Sequence, residues 1–226
     1  MKTETGTTEI VYILDRSGSM SGLEKDTIGG FNAMVKKEKK TKKKAYVSTI
    51  LFSDQAEVLH ERIPLNKVPV LTEKEYYVCG CTALLDAVGG AVNHIAKIHS
   101  RMDPDEVPAK TIFVITTDGM ENASKEYSYE DVHRVISKYQ EKYKWEFLFI
   151  GANIDAAEEA ERVGISRERA VNYVQDSIGC ANVYEGITNA VCEAMQAPGP
   201  EAMRENLTRR KWDKKLRNDF AKRGRN

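Results

Sequence analysis

Two short apolar runs restrict the fold of this chain more than anything else in it. Ile10-Val11-Tyr12-Ile13-Leu14 and Ile112-Phe113-Val114-Ile115 are β-branched and aromatic, and neither alternates apolar with polar. A strand with one wet face alternates. A strand apolar on both faces is buried on both, as in a parallel sheet covered by helices on either side. Segments of helical period fit that arrangement. Residues 22–40 bring Leu23, Ile28, Phe31, Met34 and Val35 to one face, and 83–99 do the same with Leu84, Leu85, Val88, Val92, Ile95 and Ile98. Further strands are expected at 45–53, 56–63, 145–151 and 169–174, and further helices at 128–142, 155–163 (stopped by Gly164) and 177–196. The link Ser53-Asp54-Gln55 is too short for a parallel crossover, so the second and third strands should form a hairpin. The expectation is an α/β fold: a Rossmann-like, doubly wound, mostly parallel six-stranded sheet with one antiparallel edge strand and helices on both faces.

The 226 residues suffice for one well-buried core. Pro198-Gly199-Pro200 should end it, leaving a domain over 8–197 and a basic C-terminal tail over 198–226, flexible or with a short helix around Leu207 to Phe220. No apolar stretch approaches the roughly 20 residues of a membrane span. Met1 to Glu9 is polar, without the apolar core of a secretory leader, so a cytoplasmic location is expected, with Cys79, Cys81, Cys180 and Cys192 reduced. The formal net charge is zero but unevenly spread. Lys36 to Lys44 sets seven lysines against Glu38, and the tail sets ten Lys/Arg against four acids. Each segment is +6, so the remainder carries −12. The lysine run reads as a solvated helix end. The tail could meet nucleic acid, membrane phosphates or an acidic partner, or fold back on its own domain.

Each apolar run ends in oxygen-bearing side chains. The first leads into Asp15-Arg16-Ser17-Gly18-Ser19 and the second into Thr116-Thr117-Asp118-Gly119, while Gly80-Cys81-Thr82-Ala83-Leu84 opens a helix. In an extended loop, positions 15, 17 and 19 can turn to one side, and Gly18 lets the chain bend. Asp15, Ser17, Ser19, Thr82 and Asp118 would supply two carboxylates and three hydroxyls, hard donors suited to Mg²⁺, with Mn²⁺ or Ca²⁺ also admissible. Two acids leave a divalent ion near neutrality, so a foreign carboxylate could replace a bound water. The simpler alternative is that Ser17 and Ser19 only cap the helix that follows.

These phrases resemble the von Willebrand factor type A (vWA) domain over about residues 8–197. Asp15-Arg16-Ser17-Gly18-Ser19-Met20, Thr82-Ala83-Leu84-Leu85-Asp86-Ala87 and Thr117-Asp118-Gly119 are more similar to intracellular bacterial members than to integrins. The resemblance implies a metal-ion-dependent adhesion site at Asp15, Ser17, Ser19, Thr82 and Asp118. It also implies a vacant coordination position for an Asp or Glu of a partner protein, and movement of the last helix, here 177–196, when that position fills. The expected function is a non-enzymatic, metal-dependent protein-binding module acting as scaffold or regulatory subunit.

Two other classes are weighed against it. A haloacid-dehalogenase-type phosphatase also sets an Asp after its first buried strand, but needs a second acid two residues on, where this chain has Ser17. A nucleic-acid-associated protein would act through the basic tail. Cys79-Gly80-Cys81 reads as two reduced, partly buried thiols, since no His or Cys partner stands nearby in sequence. Glu121 and Asn122 read first as turn residues, with hydrogen bonds to waters around the metal as the alternative.

Overall fold

The computed structural model describes residues 6–209 and 211–224; Arg210 and Arg225 of the basic segment, and residues 1–5 of the polar N-terminal stretch, lie outside them. Six strands form one sheet: β1 (Thr8–Asp15), β2 (Ala45–Phe52), β3 (Ala56–Pro64), β4 (Lys110–Thr117), β5 (Glu146–Gly151) and β6 (Ala170–Asn172), in the order β3-β2-β1-β4-β5-β6. All neighbours are parallel except β2 and β3, which form the expected hairpin. All eight residues of β1 are buried, which explains its unbroken apolar run.

The period of two splits the strands between two cores. Ile10, Tyr12, Leu14, Ile112, Val114, Leu148 and Ile150 pack on one side against α1 (Glu24–Lys40) and α5 (Ser177–Gln196). Val11, Ile13, Phe113, Ile115, Phe147 and Phe149 pack on the other against α2 (Leu84–His99), α3 (Tyr129–Tyr143) and α4 (Ala156–Arg162). Gly164 follows α4 with φ +86°, the left-handed stop read from the sequence.

Glu38 and Lys110 are among the charged side chains buried with these cores. Glu38, the one acid of the lysine run, is fully buried and accepts a hydrogen bond from the Tyr12 hydroxyl at 2.6 Å. The run is therefore solvated on one face only. Lys110 is also buried, and its Nζ donates to the carbonyls of Ala194, Met195 and Ala197 at 2.9, 3.1 and 2.6 Å. An ammonium thus closes the C-terminus of α5, where orphan carbonyls and the helix dipole favour a cation.

The segment after residue 197 differs from its expected form. It holds two helices, α6 (Pro200–Thr208) and α7 (Lys214–Arg223), and the chain between them breaks the single helix expected around 207–220. Met203, Leu207, Trp212 and Leu216 are buried in the core beside α5. Met203 and Leu207 of α6, Trp212 just ahead of α7 and Leu216 within it together outweigh the surrounding charge, so packing does not stop at Ala197.

No helix among the described residues is long and apolar enough to cross a membrane.

Candidate metal centre

The strand order fixes the place of the site. The chain leaves β1 toward β2 and returns on the other side at β4, so a crevice opens between the C-terminal ends of β1 and β4, where such sheets hold their ligands. The two strands run in flush register, Leu14 beside Thr116. Asp15 and Thr117-Asp118 therefore leave the sheet side by side.

Asp15 is pinned at both oxygens. Oδ1 accepts from the Ser17 amide at 2.7 Å and Oδ2 from the Thr117 hydroxyl at 2.7 Å. Its carbonyl accepts from the buried Tyr76 hydroxyl at 2.6 Å. The Ser17 and Ser19 hydroxyls lie 3.0 Å apart, and Ser19 Oγ donates to Asp118 Oδ1 at 2.6 Å. Neither serine caps a helix through its side chain, so the capping alternative fails. Thr82 arrives with the 79–82 loop, which the Gly18 amide ties down through Gly80 O at 3.0 Å. Gly80 has φ +66°, and a Cβ there would stand 2.2 Å from an Asp54 oxygen, so only glycine fits. A Cβ on Gly119 would lie 3.5 Å from Ser19 Oγ and 3.6 Å from Thr82 Oγ1, which places the two hydroxyls around one small space. The structure thus brings together all five residues read from the sequence. Asp15, Ser17, Thr82 and Asp118 are buried, and Ser19 is exposed at the mouth.

Sequence reasoning missed the supports. Asn122 holds Thr82 at two points: its Oδ1 accepts from the Thr82 amide at 2.9 Å, and its own amide donates to Thr82 O at 3.1 Å. The Glu121 carboxylate accepts from the amides of Leu85, Ala123 and Ser124, tying the loop after β4 to the first turn of α2. Gln175, just before α5, donates from Nε2 to Ser19 O at 2.7 Å and to Asp118 Oδ2. None of these ties leaves a local sequence pattern. Of the two thiols, Cys79 is half-buried as expected, 3.3 Å from Ser53 Oγ, whereas Cys81 is exposed.

The electrostatics fit a cation. Burial pushes the Asp15 carboxyl above its ordinary range. Asp118 is pushed up to about 6, chiefly by burial and further by the charge of Asp15, against the Ser19 hydrogen bond that lowers it. Among the described residues no Lys, Arg or His forms an ion pair with either carboxylate. Two desolvated acids without a counter-charge gain by meeting a positive ion. Among the described residues no group of three or more His, Cys, Asp or Glu could hold a metal, so an ion here would depend on hydroxyls and water, which suits a hard cation.

No protein-family model matches the chain, and no curated protein matches it. Solved structures do, at the level of fold. A von Willebrand factor type A protein from Catenulispora acidiphila superposes with a TM-score of 0.55 at 15% identity, over 83% of this chain and 43% of that one. The vWF domain of the type V pili tip protein Mfa5 from Porphyromonas gingivalis gives 0.57 at 9% identity, over 83% of this chain and 95% of that domain. Proximal thread matrix protein 1 of the mussel byssus, with a zinc-occupied MIDAS motif, gives 0.55 at 16% identity, over 83% of this chain and 46% of that one. The chain spans under half the length of the mussel and Catenulispora proteins. It has a vWA-like α/β fold.

Proposed function

We propose that this chain is a divalent-metal-dependent protein-binding module that captures an acidic side chain of a partner protein, as a scaffold or regulatory subunit and without catalysis of its own. The observation that carries the reading is the convergence of two buried carboxylates, neither with an ion-pair partner among the described residues, and three hydroxyls at the switch point of the sheet. Asp15, Ser17, Ser19, Thr82 and Asp118 would hold Mg²⁺ directly or through water. The bound ion would supply an electrophilic position for a foreign carboxylate. The protein's own residues pre-arrange the oxygens, exclude water beneath them and leave the Ser19 side open.

The phosphatase alternative lacks support at its nucleophile. Both Asp15 oxygens are engaged by the chain itself, and the second acid it needs is replaced by Ser17. The nucleic-acid alternative loses part of its basic surface to internal pairing: Lys215 bonds Glu185, Arg217 bonds Asp213 and Arg223 bonds Asp176 and Asp219. A cytoplasmic role accords with four cysteines that form no disulfide.

The test is a pull-down from native lysate in Mg²⁺, repeated in EDTA and with Asp15→Ala. Partners that appear only with intact site and metal support the reading. Partners retained in both controls refute it.

A further inference from the structure

The lysine run at the end of α1 has no part in the metal centre. α1 stops at Lys40, and Lys42, Lys43 and Lys44 fill the turn that leads into β2. Attraction to the helix dipole accounts for Lys37, Lys39 and Lys40, which stand in the last turn. It does not account for three more lysines beyond the stop, because that field fades outside the last turn. Their backbone is held in place. Thr41 Oγ1 donates to Glu38 O at 2.7 Å and accepts from the Lys43 amide at 3.3 Å. The Lys42 amide donates to Lys39 O at 3.3 Å, and Lys44 O accepts from the Thr8 amide at 3.1 Å.

On this frame Lys39, Lys42, Lys43 and Lys44, with Tyr46 and Asn66, line a cleft of about 430 Å³. That is the size of a small-ligand site. Lys39 Nζ donates to Val68 O at 2.7 Å and keeps two further N–H groups. No Asp or Glu among the described residues lines the cleft. Among those residues Lys36, Lys37, Lys39, Lys40, Lys42 and Lys44 form no ion pair, whereas exposed arginines elsewhere do, Arg134 with Asp131 and Arg167 with Glu161. The one acid of the run, Glu38, is turned into the core. The positive field is felt inside the protein: Lys110 is pushed down to about 8, first by burial and then by the charge of Lys43. Thr7 and Lys44 precede β1 and β2, so the cleft lies at the opposite end of the strands from the metal centre, with the eight residues of β1, roughly 26 Å, between them.

Closely spaced lysines on flexible stems suit a small anion of high charge, which accepts from several point charges at once. A strand of nucleic acid would need stacking platforms as well. Tyr46 is the one aromatic side chain lining the cleft among the described residues, and its ring already meets the Arg62 guanidinium at 4.7 Å. We propose that this cleft binds a compact polyphosphate, free or carried on a nucleoside, independently of the metal centre. Lys39, Lys42 and Lys44 supply the ammonium groups, and Asn66 adds an amide donor at the rim.

The experiment titrates the full chain by calorimetry in EDTA with inorganic tripolyphosphate, ATP and a short oligouridylate. Tripolyphosphate should bind at a single site in about 50 mM KCl and weaken about tenfold by about 200 mM. The double variant Lys42→Ala, Lys44→Ala should weaken it about tenfold, while Lys36→Ala, Lys37→Ala, which removes the same charge from exposed positions outside the cleft, should stay within about twofold. Equal affinity for ATP identifies the phosphates as the whole ligand, and about tenfold tighter ATP identifies the nucleoside-borne form. Three results overturn the proposal: no saturable binding of either anion at about 1 mM, equal loss in the two double variants, or an oligouridylate more than about tenfold tighter than tripolyphosphate. EDTA empties the metal centre, so none of these outcomes bears on metal-bridged capture.

Discussion

Replacing Glu38 by Gln should flatten part of the protein's pH dependence. The Glu38 carboxyl is held up to about 7 by burial, against a Tyr12 hydrogen bond that lowers it. In the unfolded chain it titrates near 4.5. A folded-state value above the unfolded one means that the folded protein binds the extra proton between these limits. The stability is fully present below pH 4.5 and is lost as the pH rises through 7. At 1.36 kcal/mol per unit, the 2.5-unit difference sets a ceiling of about 3 kcal/mol at pH 8, and interior relaxation lowers the expected loss to about 2 kcal/mol. Glutamine keeps an acceptor for the Tyr12 hydroxyl and has nothing to ionise. Glu38 Oε2 has no partner, so the protonated acid buries one unpaired O–H and the amide two unpaired N–H groups, an extra cost to the variant that does not change with pH. Urea denaturation by circular dichroism, in EDTA at pH 5, 6, 7 and 8, gives both stability curves. Between pH 5 and pH 8 the stability difference should shift by about 2 kcal/mol in favour of the variant. Two parallel curves would refute the reasoning, because the difference between them isolates this one group.

The other predictions concern the metal, the end of α5 and the C-terminal helices. Mg²⁺ at about a hundredfold excess over its dissociation constant should stabilise the protein by about 2.7 kcal/mol, an effect that EDTA or Asp118→Ala abolishes in thermal melts. Asn122→Ala should weaken Mg²⁺ binding in calorimetry by freeing the Thr82 backbone, whereas Asn122→Asp, which keeps the Oδ1 acceptor, should retain most of it. Lys110→Met should cost about 3 kcal/mol in urea denaturation, because three carbonyls at the end of α5 lose a charged donor. Trp212→Ala should cost about 3–5 kcal/mol, a loss that a solvated tail would not produce.

The parts legible in the sequence were those written in local pattern. β1 and β4 announced themselves because strands buried on both faces need apolar residues at every position. The five candidate oxygen donors were legible because each stands close to the end of such a strand or the start of a helix. What stayed hidden depends on pairings far apart in the chain. Lys110 serves carbonyls 84 to 87 residues away, and Gln175 reaches Asp118 across 57. Glu38 sat in a run of lysines whose charge spoke for solvent, while the helix turned that one position inward. The C-terminal helices were obscured in the same way: their sequence is mostly charged, and the four buried side chains carry too little weight in a composition average to be noticed.

The Arg223–Asp176 ion pair has a practical corollary. It lashes the last turn of α7 to the residue that caps α5, one position from Gln175. A segment fused directly after α7 would therefore begin its path close to the candidate site, and an acidic tag there could act as a tethered competitor. β1 is an interior strand that starts at the end of the sheet opposite the site, so a purification handle joined ahead of β1 would start away from the docking end.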